Sequence, residues 1–167
     1  MVVADLRMCI IKSNELIQIK DLLIIRTSYP MEASTIASTS NRYVSELSEK
    51  DNRIFFLGFD AENSPFGYVQ LIIQNADNDP ELADGNQVAH IHDLRVKKDL
   101  QGKGFGRSLM TFLEDEARLK GIRTLTLGVD NWNSRAIQFY RSLGYTEFKR
   151  EPGRTDDEFV IYMLRQL

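Results

Sequence analysis

The chain has little with which to staple or anchor itself. Its 167 residues include a single cysteine, so neither an intrachain disulfide nor a cysteine-based metal site is available. Cys9 lies in a short apolar run and reads as a small buried side chain rather than a reactive thiol. No apolar stretch approaches the length of a membrane span; the candidate Leu22-Leu23-Ile24-Ile25 is closed in by Asp21 and Arg26. The basic, apolar, small-residue order of a signal peptide is also missing, and the expected location is the cytoplasm. A net charge of −3 gives no general basic balance for nucleic acid. There is no internal repeat and no low-complexity tract. With 43% hydrophobic and 27% charged residues and no break in composition, residues 1–167 read as one globular domain.

Against this background residues 93–107 form a strand end, a glycine-rich turn and the start of a helix. Gly102, Gly104 and Gly106 allow backbone conformations that turn several N–H groups into one concavity. The helix that follows brings its positive dipole end to the same place. Within residues 95–107, Arg95, Lys97, Lys98, Lys103 and Arg107 stand against the single acid Asp99. So local a patch in an acidic chain reads as ligand chemistry, with phosphate as the expected guest. Spacing narrows the ligand. Counting from Gly102, the last glycine of a dinucleotide fingerprint falls on Arg107, and no Gly-Lys-Ser/Thr closes a nucleoside-triphosphate loop. What remains is Gln101-x-x-Gly104-x-Gly106.

The rest of the chain supplies a frame. Met8-Cys9-Ile10-Ile11 predicts a first strand. Ser13 or Asn14 can cap a helix carrying Leu16, Ile19, Leu23 and Ile24, which Pro30 ends; Ile36, Tyr43, Val44 and Leu47 predict a second between about 34 and 50. Residues 53–59 and 66–73 are dense in β-branched and aromatic side chains and predict a hairpin covered on both faces. The acids of residues 75–86 read as a solvated connection or as an attractor for a cationic acceptor. Residues 87–96 predict a strand whose regular alternation puts His90, His92, Leu94 and Val96 on one face and Ala89, Ile91, Asp93 and Arg95 on the other. Leu109, Phe112, Leu113 and Ala117 trace a helix stopped by Gly121, and Leu125, Leu127 and Val129 a strand. Asn133 or Ser134 caps a last helix ended by Gly144, and residues 145–150 and 158–164 give two closing strands. This order predicts an α/β (α+β) fold: a mixed, mostly antiparallel central sheet with helices on both faces.

Two motifs at a fixed separation make the reading more specific. Gln101-Gly102-Lys103-Gly104-Phe105-Gly106 follows Ile91-His92-Asp93-Leu94-Arg95-Val96. About 30 residues later comes Asn131-Trp132-Asn133-Ser134-Arg135-Ala136-Ile137-Gln138-Phe139-Tyr140-Arg141-Ser142-Leu143-Gly144-Tyr145. Together they resemble the GNAT superfamily of acyl-CoA-dependent N-acyltransferases, over residues 88–150 by motif and over the whole chain by element order. The second motif is similar to that of polyamine and small-amine acetyltransferases.

The resemblance implies an N-acetyltransferase that moves an acetyl group directly from acetyl-CoA to a primary amine: a small cationic amine, polyamine-like or amino-sugar, or a peptide amine. Neither metal, nucleic acid nor membrane is implied, and a homodimer is left open. The implied cofactor-binding set is Leu94, Arg95, Val96, Gln101, Gly102, Lys103, Gly104, Phe105, Gly106 and Arg107, with Asn133 on the pantetheine or phosphate arm and Arg135 near the charged end. In the family the strand splays so that a backbone N–H near Leu94 meets the carbonyl oxyanion. The first two helices of such enzymes wall the acceptor site, which makes Tyr29, Tyr43 and Glu46 candidates there. A CoA-binding sensor of the same fold, without turnover, is the alternative function.

Acyl transfer also needs a neutral amine. An alkyl amine with a pKa near 10.4 is neutral in about one molecule in a few thousand at pH 7, a deficit of roughly 4–5 kcal/mol. His92 stands where many relatives carry an acidic base; Asp93, a water relay, or no general base at all are the alternatives. Tyr140 stands where relatives place a general acid for the departing thiolate, or else packs with Ile137 and Leu143. Full proton transfer from a phenol to a thiolate is uphill by roughly 2 kcal/mol, whereas a hydrogen bond that strengthens as charge develops is not.

Overall fold

The computed structural model describes residues 6–11, 52–74 and 76–167. The two helices expected between about 13 and 50, with Tyr29, Tyr43 and Glu46, lie outside them. The described elements are β1 (Arg7–Ile11), β2 (Arg53–Phe59), β3 (Pro65–Ile72), β4 (Val88–Val96), α1 (Phe105–Leu119), β5 (Thr124–Asp130), α2 (Ser134–Ser142), β6 (Thr146–Pro152) and β7 (Phe159–Gln166). Strand order is β1-β2-β3-β4-β5-β7-β6. β1 and β2 pair antiparallel, as do β5 with β7 and β6 with β7, while β4 and β5 pair parallel. The parallel pair is the one joined through α1, because parallel neighbours need a crossover. The predicted mixed, mostly antiparallel sheet is what forms.

Contacts gather the described residues into two compact units, one reaching Leu71 and including Asp93–Asp115, the other holding Ile72–His92 and Glu116–Leu167. In the first, β2 and β3 are buried almost end to end, as their near-continuous apolarity requires. Phe55, Phe56, Leu57, Phe66 and Val69 are fully buried with Leu109, Met110 and Leu113 of α1. Phe56 meets Phe112 edge-on at 5.8 Å and Phe66 meets Phe105 at 4.8 Å. Gly58 exists because a Cβ there would stand 2.3 Å from the Phe66 ring.

In the second unit, Ile72, Ala76, Leu82, Ala83 and Tyr162 form a buried cluster. Burial pushes the Tyr162 phenol up to about 12. His90 is buried and its Nδ1 lies 2.8 Å from Thr126 Oγ1. That hydroxyl spends its only proton on Leu82 O at 2.7 Å, so His90 must donate from Nδ1. The histidine is thereby a structural strut. β6 closes the strand order with an exposed, charged face and a register shift between Glu147 and Lys149, which blunts it against strand addition.

Residues 76–86 keep Asp77, Glu81 and Asp84 exposed, as a solvated connection does, and are also tied down by specific bonds. Lys149 binds Asp79, Glu151 at 2.9 Å and Glu81 at 3.3 Å. The Lys149 hydrogen bond is the main reason that Asp79 sits below the usual carboxylate range. Asp84 Oδ1 accepts from the N–H groups of Asn86, Gln87 and Val88 at 2.8–2.9 Å. Three of the four acids are thus occupied in holding the loop, which weakens the case for an acceptor attractor there.

Regular alternation along β4 also fails. Ala89, His90 and Ile91 are all buried while His92 is exposed, and Asp93 takes a φ of +54°. A left-handed non-glycine residue costs roughly 1–2 kcal/mol and re-aims the chain that follows.

Candidate active site

Expected site residues fall in both units, and each group has its own geometry. In the first unit β4 leaves Val96 through a short 3-10 turn, Lys98–Leu100, into Gln101 in extended conformation. Gly102 and Gly104 then take φ values of +77° and +92°, the left-handed backbone that only glycine adopts cheaply. Gln101–Gly104 form a turn, and the N–H groups from Gly102 to Gly106 precede the first helical bond, which Ser108 N–H makes to Gly104 O at 3.0 Å. These donors sit where the dipole of the 15-residue α1 begins. Gln101 Nε2 donates to Val96 O at 3.1 Å and ties the two ends of the turn together.

Lys98, Lys103 and Arg107 are exposed around this turn. Lys97 instead reaches Ser64 Oγ at 3.3 Å, and its N–H pairs with Phe66 O. Arg95 Nε donates to Asp93 Oδ1 at 2.7 Å, and that carboxylate holds the guanidinium further into its charged range. Such a turn fits an anion with several oxygens, as a diphosphate has.

Asp93 itself is tightly held. Its Oδ2 accepts from the Tyr68 hydroxyl at 2.6 Å and, at 3.5 Å, from Gln70 Nε2. Gln70 Oε1 in turn accepts from Arg53 Nη1 at 3.0 Å. Tyr68 and Gln70 are buried, and the Asp93 side chain keeps 9% of its surface exposed. In the sequence, Arg53, Tyr68 and Gln70 read as parts of apolar runs. The available signal was Gln70, an amide between Val69 and Leu71 in a strand expected to be buried on both faces, where a polar group needs a partner.

In the second unit His92 is exposed at the end of that unit's part of β4. Asn133 Oδ1 accepts from Ala136 N–H at 3.1 Å, the expected cap of α2. Arg135 is exposed on the first turn, and the half-buried Tyr140 packs its ring against Tyr145 at 5.9 Å and Phe139 at 5.2 Å. Among the described residues no group of histidine, cysteine and acidic side chains could hold a metal, and no helix is long and apolar enough to cross a membrane.

Comparison with known proteins gives the family and the fold. Residues 20–145 match the acetyltransferase (GNAT) family. An uncharacterized N-acetyltransferase of the pepI 3' region of Lactobacillus delbrueckii subsp. lactis is 31% identical over 103 residues, covering 62% of this chain and 57% of the relative. The chain spans about half the length of the curated relatives it matches. An aminoglycoside 6'-N-acetyltransferase solved with coenzyme A superposes with a TM-score of 0.72 at 19% identity, covering 96% of both chains. A spermidine N-acetyltransferase SpeG variant from Vibrio cholerae superposes with a TM-score of 0.73 at 17% identity, covering 96% of this chain and 93% of that one. At such identities these likenesses establish the fold.

Proposed function

Because the chain belongs to the acetyltransferase (GNAT) family, we propose that residues 1–167 form one N-acetyltransferase domain that works in the cytoplasm and moves an acetyl group from acetyl-CoA to a primary amine. The observation that carries this reading is the Gln101–Arg107 turn. Two left-handed glycines and the N–H groups from Gly102 to Gly106 stand at the start of α1, inside the motif that marks the family. Those donors and the side chains of Lys98, Lys103 and Arg107 would hold the diphosphate of acetyl-CoA, while Asn133 would bond the cofactor's pantetheine or phosphate arm and Arg135 its charged end.

Acetyl-CoA supplies an acetyl group activated as a thioester. Transfer forms a C–N bond and breaks the C–S bond; the amine loses one proton and the departing sulfur takes one. Leu94 N–H would face the carbonyl oxygen as charge develops on it. Tyr140 would donate a hydrogen bond to the sulfur. Of the two base candidates the geometry favours His92, which is exposed, over Asp93, whose two oxygens already accept from Tyr68 and Arg95. A cationic amine such as a polyamine or amino sugar is the favoured acceptor, on the likeness of the second motif and on the acceptors that the two solved structures' names carry.

The test is thiol release from acetyl-CoA over polyamines, amino sugars, amino acids and peptides. Amine-dependent release with at least one class is the expected result. Silence across the panel together with tight CoA binding would instead make the protein a sensor.

A further inference from the structure

Asp93 sits between the two groups that the proposed reaction uses on β4, His92 and the N–H of Leu94. Its φ of +54° sets the direction of the peptide group that follows, and so of that N–H. Nothing in a strand of L-residues selects this conformation; something must hold it.

The first unit supplies the hold from two sides. Beyond the kink, Lys97 N–H pairs with Phe66 O at 2.9 Å. Gly67 lets β3 come so close that a Cβ there would stand 2.5 Å from Arg95 O. At the kink, Tyr68 and Gln70 lie two residues apart on β3 and so project from one face. They carry their polar ends to the same Asp93 oxygen, at 2.6 and 3.5 Å, and Arg53 fixes the far end of Gln70 at 3.0 Å. A buried phenol and a buried amide are costly in an apolar strand unless they are bonded, and here they converge on the one residue of β4 with a left-handed backbone.

We propose that Tyr68, Gln70 and Arg53 are positioning residues which, through the Asp93 carboxylate, lock the left-handed kink of β4 and aim Leu94 N–H at the thioester carbonyl. Asp93 is then an anchor and not the proton acceptor. This rests on the acetyl-transfer reading above, and the test separates the two.

Acetyl-CoA labelled with 13C at the thioester carbonyl is bound to the protein, and the carbonyl stretch is read by isotope-edited infrared difference spectroscopy beside steady-state kinetics. In Tyr68→Phe the band moves from its wild-type position toward that of free acetyl-CoA. kcat falls about tenfold, as expected for a misplaced donor, while KM for acetyl-CoA stays within about twofold. Gln70→Met, with the same readouts, stands in if Tyr68→Phe does not fold. Asp93→Asn, which tolerates left-handed backbone and still accepts from Tyr68, loses less kcat than Asp93→Ala and keeps the acid limb of the pH profile.

A wild-type protein that does not bind acetyl-CoA overturns the function and this inference together. Binding with an unmoved carbonyl band and unchanged kcat in the Tyr68 or Gln70 variant overturns the inference alone. So does an Asp93→Asn protein as inactive as Asp93→Ala, because a base would be lost equally in both.

Discussion

The Tyr68 hydroxyl donates a 2.6 Å hydrogen bond to Asp93 Oδ2, joining residues 25 positions apart in the chain. The bond pins the one residue of β4 whose backbone is left-handed. Side-chain identity at 93 should therefore matter for stability by backbone conformation as well as by charge. Asp93→Val, a β-branched residue forced to the same φ, is expected to lose about 2–3 kcal/mol in urea unfolding, and Asp93→Gly clearly less. Equal losses would mean that the backbone strain is not what position 93 selects for.

Gly104→Asp puts a carboxylate into the turn at a φ of +92°. The charge opposes the diphosphate and the side chain opposes the backbone. A loss of CoA affinity of at least tenfold in calorimetric titration is expected, with Gly104→Ala intermediate. A folded Gly104→Asp protein that binds CoA as the wild type does would remove this turn from the ligand site.

Tyr140→Phe deletes one hydroxyl and keeps the ring packed on Tyr145 and Phe139. Turnover should fall about 10- to 100-fold while acetyl-CoA affinity changes by less than about twofold. An unchanged kcat would show that the sulfur leaves without help from the phenol.

Asp84 gives a pH-dependent stability test. Burial works to raise its pKa, but the N–H groups of Val88, Asn86 and Gln87 outweigh it and hold the carboxyl below its usual range. A depressed folded value means the contribution is complete above the unfolded pKa of about 3.9 and is lost as pH falls through the folded one. Asp84→Ala should cost about 1 kcal/mol at pH 7, a figure discounted for an exposed carboxylate. In urea unfolding at pH 7 and at pH 3, the gap between wild type and variant should narrow at the lower pH. A gap that stays constant would assign the effect to the turn's backbone alone.

Much of the frame is legible in the sequence because it depends on local period and punctuation. The near-continuous apolarity of β2 and β3, the stripe of α1 and the Asn133 cap each state their own structure, and the glycines at 102 and 104 state the turn. The kink at Asp93 is not legible, because aspartate reads as an ordinary strand residue until Tyr68 and Gln70 are brought to it from 25 and 23 positions away. The same holds for the loop acids. Asp79 looks solvated until β6 delivers Lys149 across 70 residues. Long-range polar pairing has no period, so only the fold reveals it.

The central claim is that the turn from Gln101 to Arg107 receives the diphosphate of coenzyme A. Its most direct test is the amide spectrum of 15N-labelled protein during titration with CoA. The account predicts that the largest shifts fall on Gly102, Lys103, Gly104, Phe105 and Gly106. Saturation of binding with these five amides unmoved would contradict it.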